Sequence, residues 1–268
     1  MNFPLYIARR YLLSKSSNNA INIITLIATI GVIVSTIALF VVLSVFSGLK
    51  DFSLSFIRTS DPDLKITSVE GKSFHFNDSV RNALMLDKIK AYSKVVEERV
   101  FLSYVDKSHV ASIKGIDTNF LHVNRLDTAV YFGNWVNYEA KHTVVVGSTI
   151  SMALSIGTYD FLEALKIYVP KPGKGYITNP KTAFNQVNAQ TIGIFRLTDE
   201  IDRKYVYANL ALAQDLLNYD EDQISAVEIR LTDEEYEQEV QQELKSRLGS
   251  GFEVRTRQQL NSVFYKML

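Results

Sequence analysis

Residues 21–46 read INIITLIATIGVIVSTIALFVVLSVF, and this stretch determines the architecture expected for the whole chain. Residues 16–49 contain no Asp, Glu, Lys, Arg or His. A helix needs about 20 apolar residues to cross the roughly 30 Å hydrocarbon core of a bilayer, and residues 21–46 exceed that length. The stretch therefore predicts an uncleaved membrane-spanning helix near the N-terminus.

Two other interpretations of this stretch are weaker. A buried helix of a water-soluble protein seldom runs so far without one charged face. A cleaved signal peptide has an apolar region of about 7–15 residues followed by a small-x-small site. Here the apolar run is longer, and Val45-Phe46-Ser47-Gly48 fits such a site poorly.

The distribution of charge predicts the orientation of the span. Arg9, Arg10 and Lys15 precede it, and the first acidic residue of the chain is Asp51. Positive residues stay on the cytoplasmic side, so we expect the N-terminus inside and the chain from about Lys50 onward outside. The first fifty residues hold four of the 29 basic residues and no acidic one. The remainder, with 25 basic and 29 acidic residues, is mildly acidic and lacks the excess of basic residues that is typical of nucleic-acid-binding proteins.

The segments that flank the apolar run also have helical patterns. Residues 1–18 predict an amphipathic helix that lies in the cytoplasmic interface and contacts membrane lipids. Residues 19–58 predict the span together with an extension of the same helix beyond the bilayer, because apolar residues keep helical spacing past Lys50. Pro62 indicates a turn out of that helix.

Beyond Pro62 alternating and helical patterns mix, which predicts an α+β domain over residues 59–256. The predicted strands are 63–69, 95–105, 110–116, 143–146, 165–169, 190–195, 204–207, 225–231 and 252–255. The predicted helices are 80–92, 147–156, 209–217 with Asn209 as N-cap, and one that runs from a capping box at 232–235 to Leu248.

A segment rich in proline and glycine interrupts this pattern at residues 170–180. It lies between two predicted strands, so it is expected to be a protruding hairpin or loop. It is either a plain connector or a docking element for a partner. The candidate docking residues are Pro170, Lys171, Pro172, Gly173, Lys174, Gly175, Tyr176, Ile177 and Pro180.

Residues 257–268 have the pattern of a helix that is just beginning, with Leu260, Phe264 and Leu268 in register. The segment has no C-terminal cap and no closing glycine. We expect this helix to return toward the membrane and the natural chain to continue into a second span.

Catalytic patterns are missing from the sequence. His75, His109, His122 and His142 have no zinc-ligand spacing, and the chain has no cysteine. Gly173-Lys174-Gly175 lacks the remaining residues of a phosphate-binding loop. The sequence therefore predicts no catalytic residue, no cofactor and no metal site, and any chemistry is expected in another protein.

Six short motifs, taken in order, resemble a known family. They are Ala8-Arg-Arg-Tyr-Leu12, the VLSVFSGL stretch at 42–49, VVVGSTISMAL at 144–154, Ile192-Gly-Ile-Phe195, YANLALAQ at 207–214 and QLNSVF at 259–264. The chain resembles the N-terminal half of lipoprotein-releasing (LolC/LolE-type) ABC transporter permeases, within the MacB/FtsX superfamily. The likeness extends over essentially the whole chain.

The resemblance implies a MacB-type periplasmic domain on an inner-membrane protein. It implies a separate cytoplasmic ABC ATPase, a second permease protomer, a lipoprotein client and a periplasmic LolA-type chaperone as partners. By the same resemblance, the hairpin at 170–180 would dock the chaperone. Val42, Val45, Phe46 and Leu49, at the outer end of the span, are the candidate contacts for the acyl chains of the client.

Two rival functions stay open. A MacB- or FtsX-like relative would drive efflux or control a cell-wall hydrolase instead of extracting lipoproteins. A single-pass protein would use its outer domain as a binding module or scaffold.

Overall fold

The structure, a computed structural model, describes residues 3–13, 19–160, 163–171 and 183–262. The chain divides into two compact units, residues 1–54 and residues 55–268. We call them the helical unit and the sheet unit and describe each by itself.

The helical unit is built on α1 (Phe3–Leu13) and on α2, whose full length is Asn19–Ser60. Within α2, Ile23–Lys50 is long and apolar enough to cross a membrane, and no other helix in the described ranges meets that standard. The side chains of residues 23–50 are exposed to the surroundings. The hydroxyls of Thr29 and Thr36 donate to carbonyls one turn earlier, so both polar groups are satisfied inside an apolar helix. The predicted long apolar helix is confirmed.

The sheet unit contains twelve strands and seven helices in the part of the chain that the structure describes. The strands are β1 (Leu64–Ser68), β2 (Phe74–His75), β3 (Ile89–Tyr104), β4 (Lys107–Ile116), β5 (Val130–Gly133), β6 (Thr143–Gly147), β7 (Leu165–Pro170), β8 (Phe184–Phe195), β9 (Tyr205–Asn209), β10 (Gln223–Ile224), β11 (Ala226–Leu231) and β12 (Phe252–Thr256). The helices are α3 (Asp78–Ala83), α4 (Phe120–Val123), α5 (Ser148–Leu154), α6 (Asp199–Lys204), α7 (Leu210–Leu217), α8 (Glu237–Leu248) and α9 (Arg257–Leu260).

Ten of these strands form one mixed sheet. Its order is β12-β1-β11-β3-β4-β9-β6-β8-β5, and β7 pairs with both β3 and β8. The pairs β4–β9 and β6–β8 are parallel, while the other pairs are antiparallel. The predicted α+β class is confirmed.

The central strands are buried on both faces, and their residues alternate between two hydrophobic cores. Val144 and Val146 belong to the larger core, which includes residues of α3, α5, α7 and α8, whereas Val145 belongs to the smaller one. The smaller core surrounds Phe120 and Tyr207. Successive side chains of a strand point to opposite faces, so this alternation places one core on each side of the sheet.

A buried polar network crosses the face of the smaller core. Lys114 Nζ lies 2.8 Å from Glu228 Oε1, and Lys65 Nζ lies 2.9 Å from Glu97 Oε2. Burial raises the pKa of Glu97, but the attraction of Lys65 and Lys114 outweighs it and lowers that pKa to about 2. The Tyr205 hydroxyl donates to Glu97 at 3.0 Å. Five neighbouring strands are therefore tied together by charge-assisted hydrogen bonds.

The helix predicted over residues 80–92 is wrong in its second half. Helix α3 begins after Asn77, whose side chain accepts from the backbone N–H of Val80 at 3.0 Å, and it ends at Ala83. Strand β3 begins at Ile89 and pairs with β11. Residues 89–92 had apolar positions at helical spacing, but pairing with a neighbouring strand overrides such a local pattern.

The capping box predicted at residues 232–235 is also wrong. Asp233 instead caps a single 3-10 turn over Glu234–Tyr236, and α8 begins at Glu237. The complete capping box is formed at the start of α9, between Thr256 and Gln259. The predicted N-cap at Asn209 is confirmed, since its side chain accepts from Leu212 N–H at 2.9 Å.

Gly147 allows α5 and α6 to pack closely at the end of β6. A Cβ atom at this position would lie 2.0 Å from the backbone oxygen of Asp202. The carboxylate of Asp202 accepts hydrogen bonds from the Ser148 hydroxyl at 2.8 Å and from Leu197 N–H at 2.9 Å. These hydrogen bonds hold Asp202 in place, so its backbone oxygen would clash with the methyl group of an alanine at position 147.

We predict that Gly147→Ala lowers the free energy of unfolding by about 2 kcal/mol, because the clash is with backbone. The measurement is urea unfolding of the full chain in detergent, followed by the fluorescence of the single tryptophan, Trp135. Gly157→Ala is the matched control, because a Cβ there meets nothing within 4 Å. Equal unfolding midpoints for the two variants would contradict this account of Gly147.

Candidate functional site

The predicted acyl-contact residues lie together on one face of α2. Val42, Val45, Phe46 and Leu49 follow the i, i+3, i+4, i+7 spacing of a helical stripe. Their exposed fractions run from 56% for Val42 to 71% for Phe46. This stripe offers an apolar surface without any titratable group.

The predicted docking hairpin lies mostly outside the described residues. Only Pro170 and Lys171 are described, whereas Pro172, Gly173, Lys174, Gly175, Tyr176, Ile177 and Pro180 are not. The strands on both sides pair in antiparallel fashion, from Leu165 with Ala189 to Pro170 with Phe184. Lys171 N–H then donates to Ala183 O at 2.9 Å. Residues 172–182 therefore connect two strands whose ends are hydrogen-bonded to each other.

One face of this strand pair is covered and the other is open. On the covered face Ile167 and Val169 are buried, and the Asn185 side chain donates to a carbonyl of α7. On the open face Phe101 pairs with Tyr168 on the neighbouring strand, with ring centroids 6.3 Å apart. Val110 and Phe184 extend this row, and Phe101, Val110 and Phe184 are each at least 40% exposed. We call Val110, Phe101, Tyr168, Pro170 and Phe184 the apolar row.

A buried ionic cluster lies where the chain enters the sheet unit. Asp63 is 2% exposed, and its Oδ1 accepts hydrogen bonds from Arg230 Nη1 at 2.9 Å and from Arg257 Nη2. Its Oδ2 accepts from the N–H of Leu231 at 2.7 Å. Arg257 also donates to Glu234 at 2.9 Å. One carboxylate therefore holds guanidinium groups from β11 and from α9.

The same cluster joins the first and last described segments of the sheet unit. Arg257 N–H donates to Asp63 O at 3.0 Å, and Asn261 Nδ2 donates to Asp61 Oδ2 at 2.6 Å. Burial lowers the pKa of the Arg230 guanidinium, and the attraction of Asp63 opposes this shift. We call Asp61, Asp63, Arg230, Glu234, Arg257 and Asn261 the Asp63 cluster.

No pattern in the sequence indicated the Asp63 cluster. The local patterns predict a turn at Ser60-Asp61-Pro62-Asp63 and a helix that begins at residue 257, and in the structure α2 ends at Ser60 and α9 begins at Arg257. The contact between Asp63 and Arg257 spans 194 positions, so no local spacing reveals it.

The four histidines lie in separate places. His75 is in β2, His109 in β4 and His122 in α4, while His142 precedes β6. Among the described residues, no three His, Asp or Glu side chains lie close enough to hold one metal ion.

Comparison with known proteins identifies the family. Residues 25–247 match the family model described as the MacB-like periplasmic core domain. The chain is 26% identical over 238 residues to the lipoprotein-releasing system transmembrane protein LolE of Haemophilus influenzae, covering 87% of this chain and 56% of that protein. It is 24% identical over 241 residues to LolC of Buchnera aphidicola subsp. Acyrthosiphon pisum, covering 82% and 54%. The chain spans about half the length of these relatives.

Two solved structures share the fold. The periplasmic region of MacB from Actinobacillus actinomycetemcomitans has a TM-score of 0.51 at 12% identity, covering 78% of this chain and 95% of that one. The extracellular domain of the transporter YknZ from Gram-positive bacteria has a TM-score of 0.50 at 10% identity, covering 72% and 99%. The family match covers the greater part of the chain, and the described architecture agrees with it, so the chain belongs to the MacB-like periplasmic core domain family.

Proposed function

We propose that this chain is part of an inner-membrane ABC transporter permease that extracts lipoproteins and passes them to a periplasmic chaperone. One observation carries the proposal: the similarity to LolE and LolC covers more than four fifths of the chain. The permease is not itself an enzyme, and ATP hydrolysis belongs to a separate cytoplasmic ATPase subunit. A second permease protomer completes the membrane assembly.

The proposed orientation puts the N-terminus in the cytoplasm and the sheet unit in the periplasm. The support is electrostatic, because Arg9 and Arg10 precede the span and all acidic residues follow it. The lipoprotein client would then approach α2 from the outer leaflet, near Val42–Leu49 in the sequence.

Extraction requires an apolar surface for the client's acyl chains. Exposing an acyl chain to water costs about 0.8 kcal/mol for each CH₂ group, so the chains must be sheltered as they leave the bilayer. The stripe of Val42, Val45, Phe46 and Leu49 can supply such shelter. Phe46 is its largest side chain, and it is 71% exposed.

We predict that Phe46→Ala slows lipoprotein release by about thirty-fold, because roughly 2 kcal/mol of apolar contact is removed. The measurement is ATP-dependent release from proteoliposomes that contain the full-length permease and its ATPase. Phe40→Ala is the matched control: Phe40 is 72% exposed on the same helix but six residues away, on another face. If the two variants release lipoprotein at the same rate, the stripe is not the acyl contact.

If ATP-driven movement is to pass into the sheet unit, the segment that enters this unit and the segment that leaves it must move together. The Asp63 cluster supports this role, because it bonds residues 61–63, directly after α2, to residues 257–261, directly after β12. We propose that residues 61–63 and residues 257–261 move together as one rigid body when the helices that connect them to the membrane move.

We predict that Asp63→Asn lowers the free energy of unfolding by about 3 kcal/mol, since the negative charge that the Arg230 and Arg257 guanidinium groups share is removed from a buried position. Lipoprotein release by the full-length permease should fall as well. The measurements are urea unfolding and the release assay. Asp78→Asn is the matched control, because the Asp78–Arg81 pair is exposed to solvent. This variant should change neither the free energy of unfolding nor the rate of lipoprotein release. A stable Asp63→Asn protein that releases normally would refute the coupling role.

Delivery to a LolA-type chaperone is proposed to use the hairpin at 170–180 and the apolar row beside it. The row continues from Pro170 and Phe184, at the ends of the paired strands, to Phe101 and Val110. An exposed apolar row on an uncovered sheet face is typical of a protein-binding surface.

We predict that the double change Tyr176→Ser and Ile177→Ser weakens chaperone binding at least ten-fold, because these are the large apolar residues of residues 172–179. The measurement is the dissociation constant between the full chain and the chaperone. Tyr131→Ser with Phe132→Ser is the matched control, since these exposed residues lie on the edge strand β5. If the Tyr176→Ser/Ile177→Ser variant binds the chaperone normally, or if both double variants lose the same affinity, the hairpin is not the docking site.

The second candidate is a MacB- or FtsX-like permease for efflux or for control of a cell-wall hydrolase. The family model and the fold of the MacB periplasmic region favour it. Such a protein would support neither lipoprotein release nor chaperone binding, so the assays above separate the two candidates.

A further inference from the structure

An open groove of about 620 Å³ lies between the start of β3 and α4. Three basic side chains line it, namely Lys90, His122 and Arg125. The lining includes no Asp and no Glu. The groove is therefore a cationic surface within a part of the chain that has more acidic than basic residues.

The side chains of Lys90, His122 and Arg125 have no internal partner. Within the described ranges, none of them makes a hydrogen bond or an ion pair through its side chain, whereas Lys65, Lys72 and other lysines of the sheet unit pair with carboxylates. Asp117 is close in sequence to α4, but its carboxylate accepts from the Ser93 hydroxyl and from Lys94 N–H. The positive charge of the groove is thus left for an external anion.

The groove lies at one end of the sheet, beside the Asp63 cluster. Ala91, in the groove wall, pairs with Arg230 of the Asp63 cluster, and the neighbouring Ile229 pairs with Leu64. The groove therefore lies at the end of the sheet where the chain arrives from α2. The same chain carries Ile23–Lys50, a helix long and apolar enough to cross a membrane, so phospholipid is available to the protein as a ligand.

The remaining lining suits an amphiphile. Ile89, Tyr92 and Leu121 provide apolar surface next to the basic groups. Arg binds a phosphate through a two-pronged hydrogen-bonding group, and Lys adds a flexible point charge. We propose that this groove binds the phosphate of an anionic phospholipid headgroup, whichever substrate the permease carries.

The test uses the full chain in nonionic detergent micelles that contain phosphatidylglycerol or phosphatidylcholine, with bound lipid counted by native mass spectrometry. The double variant Lys90→Gln/Arg125→Gln should weaken phosphatidylglycerol binding about ten-fold, because two charge-assisted contacts to the phosphate are lost. Binding of phosphatidylcholine should stay unchanged. Both side chains are exposed, and unfolding curves verify that the variant folds.

The matched control is Lys166→Gln/Arg203→Gln, which removes the same charge from two exposed residues outside the groove. Full retention of phosphatidylglycerol by the control and loss by the groove variant would support the proposal. Equal behaviour of the two doubles would overturn it. Inorganic phosphate and glycerol 3-phosphate form the last arm: if either displaces phosphatidylglycerol at equal concentration, the groove takes a soluble phosphate and the lipid assignment is wrong.

Discussion

The fold of the sheet unit depends on satisfying one buried charge, the carboxylate of Asp63. A carboxylate at 2% exposure is costly unless it is paired and hydrogen-bonded, and Asp63 has both guanidinium and backbone donors. These donors come from β11 and α9, so the carboxylate is satisfied only when β1 lies between β11 and β12. This arrangement joins residues 61–63 to residues 257–261, the two segments on which the proposed transmission of movement depends.

The rest of the sheet unit can then serve as a rigid platform. Its central strands bury apolar residues on both faces, and the network of Lys65, Glu97, Lys114 and Glu228 links neighbouring strands across one of them. Beyond the area covered by α4, the same face continues outward from Glu97 to Arg99 and Phe101, and these last two side chains are exposed. The rigid interior therefore supports an exposed surface beside the hairpin, and such an arrangement suits a domain that binds other proteins.

Local patterns in the sequence carried much of this architecture. The apolar run, the alternation along β3 and β4 and the N-cap at Asn209 each depend on residues close together in the chain, and each agrees with the structure. The misassigned strand start and the missed Asp63 cluster have one physical cause. Residues 89–92 form a strand because β11 is beside them, and Asp63 meets Arg257 because β1 and β12 pair. Such partners become neighbours only in the folded sheet, so spacing along the chain cannot reveal them.

The cationic groove and the Asp63 cluster share a structural element. Arg230 donates through Nε to the carbonyl of Val123 in α4 at 2.7 Å, and the adjacent His122 lines the groove. An anion in the groove would therefore act on α4 and, through one hydrogen bond, on the guanidinium that neutralises Asp63. Because binding energies and conformational preferences are reciprocal, any state of the cluster that changes α4 also changes the affinity of the groove. If both proposals hold, lipid binding in the groove and movement of the segments at Asp63 and Arg257 would be linked through α4.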